Sequence, residues 1–105
     1  MISKLSAKDY KKTVNKDSLS VVKFYAEWCS ACQKYSSMFI AIAKDIGEVA
    51  CFFEVNIDEN PDLSEKLGVE GIPTTLIYQK GKELMRFVGV PYKKEMVEVI
   101  KDFLS

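Results

Sequence analysis

The stretch SVVKFYAEWCSAC, residues 20–32, decides how the rest of this chain is interpreted. It begins with a run of β-branched and aromatic residues, which predicts a buried strand over Leu19–Tyr25. It ends in two cysteines separated by two residues, and apolar side chains then recur at helical intervals from Tyr35 to Ile46. The cysteines are therefore expected where a strand ends and a helix over residues 30–46 begins.

This position suits a redox-active pair of thiols. The free backbone N–H groups and the positive dipole end of a helix stabilise a thiolate, which is the reactive form of cysteine. Residues three apart share one face of a helix, so Cys32 can close a disulfide with Cys29. Taken alone, the same spacing is also compatible with an accident of sequence or with half of a metal site.

Three motifs together resemble the thioredoxin family, with WCSAC as an atypical form of its active site. They are FYAEWCSAC at residues 24–32, VNID at residues 55–58 and GIPTT at residues 71–75. They occur in the family's order and at similar spacings, and the resemblance covers essentially the whole chain. It implies an α/β thioredoxin fold in a single domain over residues 1–105, with a central mixed β-sheet of about five strands flanked by four helices.

The apolar patterns outside the central stretch predict elements in the order βαβαβαββα, which favours a mixed sheet with helices on both faces. A strand over residues 49–57 should run parallel to the first, because a helix connects them. The nearly continuous apolar run of this strand predicts that both of its faces are buried. Cys51 is expected there as a core residue. The other predicted elements are a strand over residues 2–5, a helix that begins at Ser6 and carries Tyr10 and Val14 inward, a helix over residues 61–66, strands over residues 74–78 and 83–88, and a last helix with the inner stripe Tyr92, Met96, Val99, Ile100, Phe103 and Leu104.

Composition argues against several classes of function. The 15 basic and 15 acidic side chains cancel, so there is no electrostatic case for binding nucleic acid or a membrane surface. No apolar run has the length of a signal peptide or a membrane span, which predicts a cytoplasmic protein. Histidine is absent and the three cysteines fit no closed zinc site, so no metal or cofactor is expected.

The resemblance implies distinct roles for the two cysteines. Cys29 comes first in the motif, beside Trp28, and is the expected nucleophile. Cys32 is the expected resolving thiol, which attacks the mixed disulfide and releases the reduced substrate.

The resemblance also implies a docking groove for the substrate around the reactive sulfur. Pro73 matches the family's cis-proline, which would turn the backbone of Ile72 toward an extended substrate chain. Trp28 and Gly89 complete the match to the groove, the glycine being where a side chain would obstruct a partner. Asp58 matches an aspartate that steadies the tryptophan, although it could equally be a turn residue.

The chain departs from the family's pattern at three places. Ser30 and Ala31 replace the usual Gly-Pro between the cysteines, and Ser37 replaces a proline within the helix, so the helix could be straighter. Lys23 occupies the place of a buried aspartate, and Glu54 stands where the family usually has lysine.

The two inverted charges are expected to form a buried pair beneath the dithiol. An isolated buried charge is costly, whereas a paired one is tolerable. In such a pair Glu54 would accept the proton of Cys32, and Lys23 would keep that carboxylate ionised. The alternative is that the Lys23 ammonium reaches the surface and Glu54 is simply solvated.

These observations predict a thiol–disulfide oxidoreductase that reduces protein disulfides through Cys29 and Cys32. The resemblance implies a monomer that a thioredoxin reductase-type electron donor reduces again. An oxidant or isomerase is the second hypothesis, disfavoured by the absence of a signal sequence and of a histidine between the cysteines. A third is a binding module with an idle dithiol, which would keep its function when both cysteines are replaced by serine.

Overall fold

A computed structural model of the protein, describing residues 1–105, has one five-stranded sheet with four helices, which confirms the predicted fold class. The strands are β1 (Ile2–Lys4), β2 (Leu19–Tyr25), β3 (Ala50–Asn56), β4 (Thr74–Gln79) and β5 (Lys82–Val88). The helices are α1 (Ala7–Val14), α2 (Ser30–Ile46), α3 (Pro61–Lys66) and α4 (Lys93–Leu104). The strand order is β1-β3-β2-β4-β5, with the first three strands parallel and the last two antiparallel to their neighbours.

The helices cover both faces of the sheet, as the element order predicted. Helices α2 and α4 pack on one face, where Tyr35, Phe39 and Met96 belong to a core cluster of 13 buried residues. On the other face Tyr10 and Val14 of α1 bury against β2 and β4 in a second cluster of 8 residues. Each face therefore has its own apolar layer, as expected when a central sheet lies between helices.

The topology brings three loops to one end of the sheet. Strands β2 and β3 are parallel, so the loop leading to α2 and the turn after β3 lie at the same end. Strand β4 runs antiparallel to β2, so the loop before β4 reaches this end as well. The dithiol, Asp58 and the segment Ile72–Pro73 are thereby placed near one another.

Helix α2 is a single uninterrupted helix of 17 residues that begins directly after Cys29. Ser37 preserves a backbone N–H where a proline would have none, so nothing interrupts the hydrogen-bond ladder at that point. Gly47 ends the helix with φ of 76°, a conformation that favours glycine, as the sequence predicted.

Two expectations from the sequence were wrong in detail. Of the predicted inner stripe, Tyr92 precedes α4 and is 82% exposed, and Leu104 at the end of the helix is exposed as well, so the fully buried residues of α4 are Met96 and Ile100. Strand β3 is fully buried only at Ala50, Phe52 and Val55, and Cys51 is half-buried because β1 pairs only with Phe52 and the two residues that follow it. Ser6 is the N-cap residue of α1, as the sequence predicted, although its side chain makes no capping hydrogen bond.

Candidate active site

The two cysteines form a disulfide across the first turn of α2, with their Cα atoms 5.2 Å apart. Cys29 is the N-cap residue, and its Sγ accepts a hydrogen bond from the backbone N–H of Cys32 at 3.1 Å. In the reduced protein the same N–H and the helix dipole would stabilise a Cys29 thiolate. Cys29 is also the more accessible of the two, at 7% exposed against 3% for Cys32.

The loop before β4 lies against the sulfur of Cys29. The Ile72–Pro73 peptide bond is cis, as the resemblance implied, and the carbonyl oxygen of Ile72 is 3.8 Å from Cys29 Sγ. The backbone N–H of Gly89 donates to the carbonyl oxygen of Pro73 at 2.8 Å. No atom lies within 4 Å of the position that a Cβ of Gly89 would occupy, so this side of the loop is open. An extended chain has room to approach here.

Trp28 is the exposed aromatic residue of the site, with 69% of its surface accessible. Its indole Nε1–H donates to Asp58 Oδ2 at 2.8 Å, which confirms the predicted contact between these two residues. The sequence analysis missed Val88, an exposed apolar residue that pairs with Thr74 at the end of β5. Its only sequence signal is its position immediately before Gly89.

Lys23 and Glu54 face each other on the neighbouring strands β2 and β3. Lys23 Nζ lies 3.5 Å from Glu54 Oε2, so the expected ion pair is present. The Lys23 side chain is only 4% exposed, which rules out the alternative in which its ammonium reaches the surface. The Glu54 side chain is 26% exposed, so only the cationic half of the pair is fully buried, and the expectation of a wholly buried pair was wrong for Glu54.

Three aromatic rings surround the Lys23 ammonium. Nζ lies 5.0 Å from the ring centroid of Phe39, 5.3 Å from that of Tyr25 and 6.0 Å from that of Tyr35. Aromatic faces attract cations at such distances, which offsets part of the cost of burying the charge. The sequence analysis missed this cage, although Tyr35 and Phe39 are four residues apart on α2 and therefore share a face.

Burial lowers the pKa of Lys23 below its ordinary value of 10.5, and the nearby Glu54 carboxylate opposes part of that shift. Between the folded and the unfolded pKa, the unfolded chain binds more protons than the folded protein, so the free energy of unfolding rises with pH there. We therefore expect the stability of the wild type relative to Lys23→Met to increase as the pH rises through this window toward 10.5.

Urea unfolding of both proteins at several pH values up to 10 measures this difference. The buried tyrosines are common to both proteins, so their titration cancels when the two are compared. A stability difference that does not change with pH would show that burial of Lys23 has no energetic cost.

A cavity of about 240 Å³ extends from this ion pair to Cys32. Cys32, Lys23 and Glu54 all line it, together with Ser36 and Gln33. A neighbouring cavity of about 580 Å³ is also lined by Lys23, Ser36 and Glu54. Glu54 therefore borders both the space beside Cys32 and a second, larger space.

The structure has no group of three or more histidine, cysteine or acidic side chains arranged to hold a metal ion. None of its helices combines the length and the apolar character that a membrane span requires.

Comparison with known proteins supports the family resemblance. The family model described as Thioredoxin matches residues 1–102. A thioredoxin of Rickettsia bellii is 34% identical over 103 residues, covering 97% of this chain and 98% of that protein. The mitochondrial thioredoxin-2 of Schizosaccharomyces pombe is 39% identical over 85 residues, covering 81% of this chain and 63% of that protein. The X-ray structure of Fasciola hepatica thioredoxin has a TM-score of 0.85 and 33% identity, covering 97% of this chain and 98% of that chain.

Proposed function

Because this chain belongs to the thioredoxin family of thiol–disulfide oxidoreductases, we propose that it reduces protein disulfides with Cys29 as the nucleophile and Cys32 as the resolving thiol. The observation that carries this assignment is the position of the Cys29 sulfur. It caps α2, it belongs to the more accessible of the two cysteines, and it lies 3.8 Å from the carbonyl oxygen of Ile72.

The proposed reaction is two successive exchanges. The Cys29 thiolate attacks one sulfur of the substrate disulfide, so that a mixed disulfide forms and the other substrate sulfur leaves as a thiolate. Cys32 then loses its proton and attacks Cys29 Sγ, which forms the Cys29–Cys32 disulfide and releases the second substrate thiolate. Two electrons pass from the protein to the substrate. The cysteines carry these electrons themselves, so no cofactor takes part.

The second exchange needs a base for the buried Cys32 thiol, and we assign this role to Glu54. Its carboxylate lines the same cavity of about 240 Å³ as Cys32, which is large enough for a bridging water. The Lys23 ammonium lies 3.5 Å from the carboxylate, and its positive charge favours a thiolate nearby. Since Glu54 is partly exposed, the proton it accepts can pass on to solvent.

The Glu54→Gln variant should resolve the mixed disulfide about tenfold or more slowly near neutral pH, because the amide cannot accept the Cys32 proton. The deficit should shrink at alkaline pH, where Cys32 ionises without help. Stopped-flow measurement of the second exchange as a function of pH tests this.

Glu98→Gln, on the exposed side of α4, is the matched control and should resolve at the wild-type rate. An unchanged resolution rate in Glu54→Gln at neutral pH would remove Glu54 from the mechanism.

We assign substrate docking to the apolar surface formed by Trp28, Ile72, Pro73 and Gly89, with Val88 at its edge. The exposed indole and the open side of the loop support this assignment. The family implies protein disulfides as substrates and a reductase as electron donor. We propose a donor of the thioredoxin reductase type and a cytoplasmic monomer, folded as one domain over residues 1–105, that binds neither nucleic acid nor membranes.

The proposed function is tested by mixing the reduced protein with a disulfide-bonded protein such as insulin and following the release of thiols. We expect one substrate disulfide to be reduced for each Cys29–Cys32 disulfide formed. The variant with both cysteines replaced by serine should release no thiols. If that variant kept the protein's cellular function, the dithiol would be idle and the chain would be a binding module.

A further inference from the structure

Tyr35 is a buried polar residue that the exchange described above does not use. It lies on α2 one turn after Cys32 and is fully buried. Its hydroxyl oxygen is 2.8 Å from Thr75 Oγ1, and it donates to Met96 Sδ at 3.1 Å. Since a phenol has a single hydrogen, the Thr75 hydroxyl is the donor in the first of these bonds.

The partner of Tyr35 lies close to the docking surface. Thr75 is fully buried on β4, two residues after Pro73. The hydrogen bond therefore joins the helix that carries both cysteines to the strand that begins directly after Ile72–Pro73. Both residues are fully buried, so removing either hydroxyl takes a buried hydrogen bond from the other, and the Tyr35 hydroxyl would then keep only its bond to Met96 Sδ.

The start of β4 is also bonded to the segment that follows β5. The N–H of Gly89, which follows β5, donates to the carbonyl oxygen of Pro73 at 2.8 Å. Besides the pairing of Thr74 and Thr75 with β2, the docking loop has two further attachments near Pro73, one to the segment after β5 and one through Thr75 to the dithiol helix. Of these two, only the attachment through Thr75 reaches the helix that begins at the dithiol, so it acts with the pairing of β4 and β2 to set where the loop lies relative to Cys29.

We propose that the Tyr35 hydroxyl is a positioning group, which holds the Ile72–Pro73 edge at its working distance from the Cys29 sulfur. This inference rests on the proposed function, in which protein substrates dock along that edge. A docked chain must present its sulfur in line with Cys29, and a displacement of about 1 Å can cost up to about 100-fold in rate. A small disulfide, which has no chain to pair with Ile72, is not subject to this requirement.

Substitutions that remove single atoms test the proposal. Tyr35→Phe removes one oxygen, and Thr75→Val removes the partner hydroxyl while keeping the branched shape. We expect each variant to lower kcat/KM for a disulfide-bonded protein by about tenfold, mainly through KM, and to change kcat/KM for oxidised glutathione by less than about twofold. The double variant should lose no more than either single variant, because both remove the same bond.

Two further variants serve as controls. Thr75→Ser keeps the hydroxyl and should have the same kcat and KM as the wild type with the protein substrate. Met96→Leu removes the sulfur acceptor but leaves the bond between Tyr35 and Thr75, so it should have the wild-type KM for the protein substrate.

Hydrogen exchange of the Gly89 amide gives a readout that needs no substrate. This amide donates to Pro73, so its exchange rate reports on the docking loop. It should exchange about tenfold faster in Tyr35→Phe and Thr75→Val than in the wild type and Thr75→Ser. The amides of β2 should exchange at equal rates in all four proteins, which separates local loosening of the loop from general loss of stability.

Wild-type KM and wild-type Gly89 exchange in Tyr35→Phe would overturn the proposal. Equal losses with the protein substrate and with oxidised glutathione would also overturn it, because the hydroxyl would then act on the thiols and not on the docking edge. If the wild type itself failed to reduce a protein disulfide, the proposed function would be wrong. The Gly89 exchange rates would still decide whether Tyr35 positions the loop.

Discussion

Replacement of Cys29 by serine will lower the rate of protein disulfide reduction by about a thousandfold or more, because it removes the only sulfur positioned to attack a docked substrate. A serine hydroxyl at this N-cap does not ionise near neutral pH, whereas the N–H of Cys32 and the helix dipole favour the thiolate. Thiol release from a disulfide-bonded protein, measured under conditions of excess substrate, tests this expectation.

Cys51→Ala is the matched control, since it removes the third thiol of the chain and leaves the dithiol intact. Its turnover should stay within about twofold of the wild type, because Cys51 lies on β3 away from the dithiol loop. A folded Cys29→Ser variant that kept even a tenth of the wild-type rate would show that another thiol performs the attack.

Unequal losses of stability are expected when the two charges beneath the dithiol are removed one at a time. Glu54→Ala should lower the free energy of unfolding by about 3 kcal/mol, because it leaves the ammonium of Lys23 buried without its counterion. Lys23→Met should change the free energy of unfolding by less than about 1 kcal/mol, because the Glu54 carboxylate already reaches solvent and the new side chain is apolar.

Urea unfolding at pH 7 measures both changes. The double variant should have nearly the same free energy of unfolding as Lys23→Met. The aromatic cage around Lys23 reduces the loss in Glu54→Ala without removing it, since ring faces compensate a cation only in part. Equal losses in the two single variants would mean that the pair is buried symmetrically, contrary to the exposures of its side chains.

The sequence predicted the fold well because its local signals agree with one another. The apolar run of β2 and the helical spacing of α2 placed both elements at the residues where they occur, and Gly47 marked the end of the helix correctly. The parallel pairing of β2 and β3 followed from the helix that connects them. Tyr92 was assigned to a buried stripe because its spacing fits a helix that in fact begins one residue later.

Properties that depend on contacts between elements could not be predicted in this way. The identities of Lys23 and Glu54 suggested a pair, but their unequal burial depends on the strand order and on which parts of the sheet α2 covers. The hydrogen bond between Tyr35 and Thr75 joins residues 40 positions apart, and each would otherwise pass for an ordinary helix or strand residue. Such contacts become visible only when the packed core is known.

The most direct test of the proposed mechanism is to identify the cysteine that carries the substrate in the mixed disulfide. The Cys32→Ser variant should stall after the first exchange, and proteolysis followed by mass spectrometry should find the substrate sulfur attached to Cys29. Attachment to Cys51 in that variant, or a stable adduct on Cys32 in the Cys29→Ser variant at a comparable rate, would contradict the account.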